Sequence, residues 1–308
     1  MTQDRPILGI ALMLGFCIVA PLGDSVAKLL GNRIPIGEVV FIRFALQAVI
    51  LAPLVWYSGR MWRMRGRVLW LAFLRTVLHI IGIAAMFSAL RYLPLADAVA
   101  IAFVMPFFML LLGKYVLNEE VGTRRIIACF VGFVGTLLIV QPAFASVGWP
   151  ALLPVFVAIN FSFFMLITRQ IAKETDPIGL QTVSGVMAVL LMVPLLIIGH
   201  FAQLPLLSIK APDAAEWNLL IGLAVFGTAA HLLMTWSLRY APSATLAPMQ
   251  YLEIPFATLL GLLIFGDLPN PLAALGIAIT IGSGLYIILR ERANARLLAA
   301  QALTPNPA

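Results

Sequence analysis

A few ionisable side chains lie deep inside long apolar runs, and these are where chemistry can occur. Glu253 stands between Pro248 and Pro255. A charge at the centre of a membrane helix costs about 2.5–3.5 kcal/mol on insertion scales, so a buried acid is a functional candidate by default. Its carboxyl can bind an ammonium group or carry a proton through a pump cycle. Alternatively it stays protonated and bonds a carbonyl that a proline has freed. His79 and His231 are similarly deep. A neutral imidazole can bond a polar solute or titrate near pH 6.5, although a lone histidine is often simply packed in a core. Arg75 precedes His79 by one helical turn. It can attract a carboxylate at an inward mouth, but snorkelling of its stem to the interface is the favoured reading. Asp24 and Lys28 share a helix face at i,i+4 and are expected to pair, with coupling or gating as the alternative role. Glu38 and Arg43 can likewise snorkel or pair. Asp97 suits the first turn of a helix, where a carboxylate complements the dipole.

Neutral side chains complete the candidate binding set. Phe103, Met105, Asn160, Phe163, Phe164, Met234, Met249 and Gln250 all fall at central depth. Apolar walls with a few placed polar groups suit a small organic ligand, and methionine adapts to varied shapes. Helix packing or lipid contact is the alternative for each. No Gly-rich phosphate loop with its lysine and no His-Glu-x-x-His occurs, and Gly282-Ser283-Gly284 has no histidine after it. Cys17 and Cys129 both sit in apolar runs, so neither a disulfide nor a metal site is expected. No catalytic residue, metal or cofactor is assigned.

The elements that position these residues follow from composition. Of 308 residues, 62% are apolar and 11% charged, against about 25% charged in a soluble domain. Lipid is the solvent that makes such a surface stable. A crossing needs about 20 residues, and apolar runs occur at about 7–29, 36–57, 68–90, 95–117 and 125–141. A second set lies at about 149–170, 178–199, 217–238, 244–265 and 272–290, giving ten transmembrane helices. The run from Pro6 to Leu30 is too long for a signal peptide and is read as the first crossing.

Charge tests this map. Arg5, Arg60, Arg63, Arg65, Arg67, Lys114, Arg124, Arg125, Arg169, Lys173, Arg239, Arg290, Arg292 and Arg296 all fall on one side, against Lys28, Arg33, Arg91 and Lys210 on the other. The bias places both termini in the cytoplasm, and explains the net charge of +7 without nucleic acid. Leu90-Arg91-Tyr92-Leu93-Pro94 recurs 148 residues later as Leu238-Arg239-Tyr240-Ala241-Pro242, and Glu119 aligns with Asp267. Each unit then holds five crossings, so the second enters from the opposite side. The domains expected are a first five-helix repeat at 1–145, a second, inverted one at 146–295, and a cytoplasmic tail at 296–308. Inverted repeats are a transporter signature, with the substrate near the midplane, and they put His79 and His231 on corresponding helices. Gly132, Gly135, Gly276, Gly282 and Gly284 read as close helix contacts.

Two five-helix units, the Arg43-Phe44 pair, the turn at 89–94, Pro106, Glu119-Glu120 and Gly132-x-x-Gly135 together resemble the EamA branch of the drug/metabolite transporter superfamily. The resemblance implies an all-α, ten-helix carrier of the inner membrane exporting small amphipathic metabolites, with aromatic or neutral amino acids as the expected cargo. Asp267 departs from the usual glutamate. Alternating access is the expected mechanism, and the expected partners are a small solute and membrane lipid, with a monomer allowed. A channel, a lipid-handling scaffold and an intramembrane enzyme are the competing classes.

Overall fold

The computed structural model describes residues 5–60, 62–118 and 122–303. Among them every regular element is helical. The first three helices are long: α1 (Pro6–Leu30), α2 (Ile36–Ser58) and α3 (Gly66–Leu90). Gly59 stops α2 in the left-handed region at φ 59°, a conformation open to glycine without a Cβ penalty. The next crossing is broken into α4 (Leu95–Ala102) and α5 (Met105–Val116). Pro106 has no N–H to offer the Ala102 carbonyl, so the helix stops there and restarts after a turn. Then come α6 (Thr123–Val147), a 3₁₀ turn, α7 (Leu153–Ile171), α8 (Pro177–Phe201) and α9 (Ala214–Tyr240). Asp176 caps α8 by accepting from the Gly179 amide, and Asp213 with Glu216 forms a reciprocal capping box on α9.

The expected crossing at 244–265 is the most fragmented. It runs as α10 (Ser243–Leu246), a 3₁₀ segment Ala247–Leu252, α11 (Glu253–Leu260) and a π turn Gly261–Phe265. Pro248 and Pro255 each lack the N–H that an α-helix needs, so the i→i−4 ladder is interrupted twice within this segment. The final helix α12 (Pro271–Leu303) is longer than the 272–290 run and continues through most of the stretch expected to be a tail. Among the described residues eight helices are long and apolar enough to cross a membrane, while Met249–Phe265 and Pro271–Tyr286 are shorter apolar segments.

Packing joins residues before 147 to residues after 149. α1 lies against α9, α3 against α7, α2 against α8 and α6 against α12. The start of the fourth crossing, α4, meets α11, whereas its end, α5, meets α10. The α6–α12 contact depends on glycine. A Cβ on Gly276 would collide with the Gly135 carbonyl, and one on Gly132 would stand 2.7 Å from the Tyr251 hydroxyl. Gly282, by contrast, faces open space. The repeated turn does the same work twice: Arg91 donates to the Ile34 carbonyl at 2.7 Å, and Arg239 to the Thr175 carbonyl at 2.6 Å. Each arginine thereby ties a helix–helix corner to the loop leading into α2 or α8.

Candidate substrate cavity

A cavity of about 120 Å³ lies between the two sets of helices, smaller than the usual 300–1,000 Å³ of organic-ligand sites. Its walls include Phe16, Met86, Phe87, Phe103, Met105 and Phe161. Four ionisable groups also line it: Asp24 from α1, Arg43 from α2, His231 from α9 and Glu253 from α11. Glu253 is the first residue of α11, which continues directly from the 3₁₀ segment; its own amide donates back to the Gln250 carbonyl.

Arg43 is 2% exposed, and its Nη1 has no hydrogen-bond partner. Its guanidinium lies 4.8 Å from the Phe44 ring. Gly227 makes room for it, since a Cβ there would approach Nε to 2.8 Å. Among the described residues, neither Asp24 nor Glu253 has a side-chain hydrogen bond or an ion pair. Asp24, Arg43 and Glu253 thus face one space close enough to feel one another's charge, yet with no ion pair among them.

The expected Asp24–Lys28 pair does not form. Lys28 Nζ instead bonds Asp267 at 2.8 Å, with the Leu93 carbonyl at 3.2 Å and the Phe265 ring at 4.7 Å. Lys28 is in the last turn of α1, where its stem reaches the loop after the π turn. Asp24 is one turn deeper and turned into the cavity. Glu38 pairs with neither Arg43 nor the interface; its carboxylate accepts from the Lys210 backbone amide at 2.9 Å. Asp97 is buried with an unpartnered Oδ1. Glu119 and Glu120 lie outside the described residues.

The histidines are brought together. Their Nε2 atoms are 3.0 Å apart, so one donates and the other accepts, and each Nδ1 is buried without a partner. Phe44 packs 5.0 Å from His79 and Phe164 4.6 Å from it. Only His231 of the pair lines the cavity.

Arg75 does not snorkel. It is fully buried and donates to Thr168 at 2.8 Å, Ser184 at 3.0 Å and Thr235 at 3.5 Å, with Phe164 stacked 4.4 Å from Cζ. Hydroxyls from α7, α8 and α9 converge there, so inward bonding replaces the interface. Gln181 extends the network to Thr235 and the His231 carbonyl, both at 3.1 Å, and receives Gln47. Sequence reading passed over these hydroxyls and amides, because a single Thr or Ser satisfies itself within a helix; only their mutual approach distinguishes them.

The neutral candidates divide. Phe103 and Met105 line the cavity. Asn160 is buried beside Gly82, whose missing Cβ leaves space for its unpartnered Oδ1. Phe164 separates His79 from Arg75. Met234, Met249 and Gln250 belong to a methionine-rich layer with Met13 and Met165, where the Gln250 amide approaches the Met165 sulfur at 3.1 Å. Phe163 is the correction: it is 43% exposed on the outside of α7, because its neighbour Phe164 takes the inward face. Arg43, Phe16, Phe161 and Gly227 are lining residues that the candidate set omitted. The depth of Arg43 in its apolar run was the available signal.

A sequence model of the EamA-like transporter family matches residues 7–141 and again 148–290. A riboflavin transporter of Brucella anthropi is 27% identical over 86% of this chain and 93% of its own length. An S-adenosylmethionine uptake transporter of Rickettsia prowazekii is 24% identical, covering 92% of this chain and 93% of its own. One crystal structure, 17% identical in sequence, superimposes with a TM-score of 0.64 over 97% of this chain and 98% of its own, a likeness of fold. The match runs through every helix that contributes to the cavity wall, and the chain is a multi-pass membrane transporter, not an enzyme, belonging to the EamA-like family of the drug/metabolite transporter superfamily.

Proposed function

We propose that the protein is a secondary carrier of the inner membrane that moves a zwitterionic, ring-bearing metabolite by alternating access. The observation that carries this reading is that Asp24, Glu253 and Arg43, whose Nη1 is buried without a partner, line one phenyl-walled cavity. Two acids suit a cationic nitrogen or sulfur, a guanidinium suits a carboxylate, and the phenyl rings suit a flat apolar body. S-adenosylmethionine has all of these parts, as aromatic amino acids do on a smaller scale. Riboflavin is uncharged and could answer these groups only with neutral hydrogen bonds, without the charge match. Export of neutral amino acids, expected from the sequence, draws no support from the relatives' names, one of which is an uptake transporter.

The carrier is ten crossings in two inverted halves, 1–145 and 146–295, with both termini cytoplasmic. Support comes from the repeated Arg91 and Arg239 bonds and from the exchange of partners across the middle of the chain. Lys28 and Asp267 close one mouth. Glu253 and Asp24 receive the cationic group or a coupling proton, the histidine pair and Asn160 supply polar contacts, and Arg75 holds α3, α7, α8 and α9 in register beneath them. Purified protein in liposomes, offered labelled S-adenosylmethionine, tryptophan and riboflavin with and without a pH gradient, tests the reading. Saturable uptake of a zwitterion supports it. Non-saturating flux means a channel, and preference for riboflavin removes the charge argument.

A further inference from the structure

We infer that the groove between α2 and α8, at the end bearing the 59–65 loop, binds the headgroup of an anionic phospholipid. Four arginines crowd that loop region. Arg60 pairs with Asp176 at 3.0 Å and Arg67 with Glu174 at 3.2 Å. Arg63 and Arg65 have no carboxylate or hydrogen-bond partner among the described residues, and both line the groove. Its remaining walls are mostly apolar, with Trp56 and Val186 exposed on the outside and Val55 and Thr182 at its floor.

Depth and charge identify the occupant. Trp56 is 86% exposed, Tyr57 89% and Trp70 62%, the aromatic belt that marks the level of lipid headgroups. Two unpaired guanidiniums at that level, above apolar helix faces, fit a phosphate with acyl chains below it. Arg63 is also held over Trp62, 5.5 Å from its ring. A second copy of the chain would bring the same two positive charges to the interface and repel. A lipid of negative charge neutralises them. This site is separate from the cavity and does not depend on the transport reading.

The test uses the full chain in nanodiscs of phosphatidylcholine alone or mixed with phosphatidylglycerol. Native mass spectrometry counts the lipid retained, and thermal unfolding is followed in parallel. Wild type should retain phosphatidylglycerol in preference to phosphatidylcholine and melt higher in the mixed discs. Arg63→Gln/Arg65→Gln should lower that preference roughly 10- to 30-fold, taking each interfacial arginine at its usual weight, and erase the gain in Tm. Arg60→Gln, outside the groove, should keep both. High salt should weaken retention by the wild type, a readout that needs no variant. Equal retention by wild type and the double variant, or a dimer in place of bound lipid, would overturn the assignment.

Discussion

Cutting the Lys28–Asp267 bond should open one mouth of the carrier by an amount the geometry sets. The ion pair is short, 2.8 Å, and the two side chains are 17% and 33% exposed. Exposed pairs are worth about 0.2–1 kcal/mol and breaking a fully buried one costs about 3–5 kcal/mol, so this pair belongs near 1–2 kcal/mol. Asp267→Asn removes the charge and keeps a possible hydrogen bond. The closed-to-open equilibrium should then move by roughly 5- to 30-fold. Lys28→Met should exceed this, because it also loses the Leu93 carbonyl and the Phe265 ring. The assay starts from a background lacking Cys17 and Cys129. A cysteine is placed at Ala20 in the cavity wall, and its labelling by a membrane-impermeant thiol reagent is timed from the Lys28 side. Exchanging the charges, Lys28→Asp with Asp267→Lys, should return part of the protection. Unchanged labelling in both single variants would refute the latch.

Other outcomes follow from the same contacts. Gly227→Ala should displace the Arg43 guanidinium, raising KM for a carboxylate-bearing substrate at least tenfold while the melting curve stays close to wild type, measured by uptake and thermal shift. Gly276→Val drives a side chain into the Gly135 carbonyl; overpacking of this kind costs about 1–3 kcal/mol and should appear as a lower Tm. Arg75→Met leaves the Ser184 hydroxyl without its cationic donor and loosens four helices. At about 1.5–3 kcal/mol per charged hydrogen bond, thermal stability should fall before any substrate preference changes.

What the sequence made legible was depth and periodicity. The apolar runs placed nearly every helix, and the histidines on corresponding helices do meet. The 148-residue echo pointed to Arg91 and Arg239, which make matching bonds. Pairing was not legible, because it depends on which helices face one another. Asp24 and Lys28 are neighbours on one helix, yet Asp267 competes for the lysine from 239 residues away. Arg75 looked like a snorkelling stem because its partners Thr168, Ser184 and Thr235 come from three other helices. Phe163 and Phe164 are indistinguishable in type, and only the rotation of α7 decides which turns outward. The irregular backbone at 244–265, an expected crossing, was signalled by its prolines, though not the change from 3₁₀ to α at Glu253.

Substrate recognition by the charged groups of the cavity is the proposal on which the rest depends. Its most direct measurement is calorimetric binding of the zwitterion chosen by the liposome panel to Arg43→Gln, to Asp24→Asn/Glu253→Gln and to Ala102→Trp, a cavity-filling control. Binding should weaken at least tenfold in the first two and vanish in the third, with Tm retained. Wild-type affinity in Ala102→Trp, or in both charge variants, would place the substrate elsewhere and contradict the account.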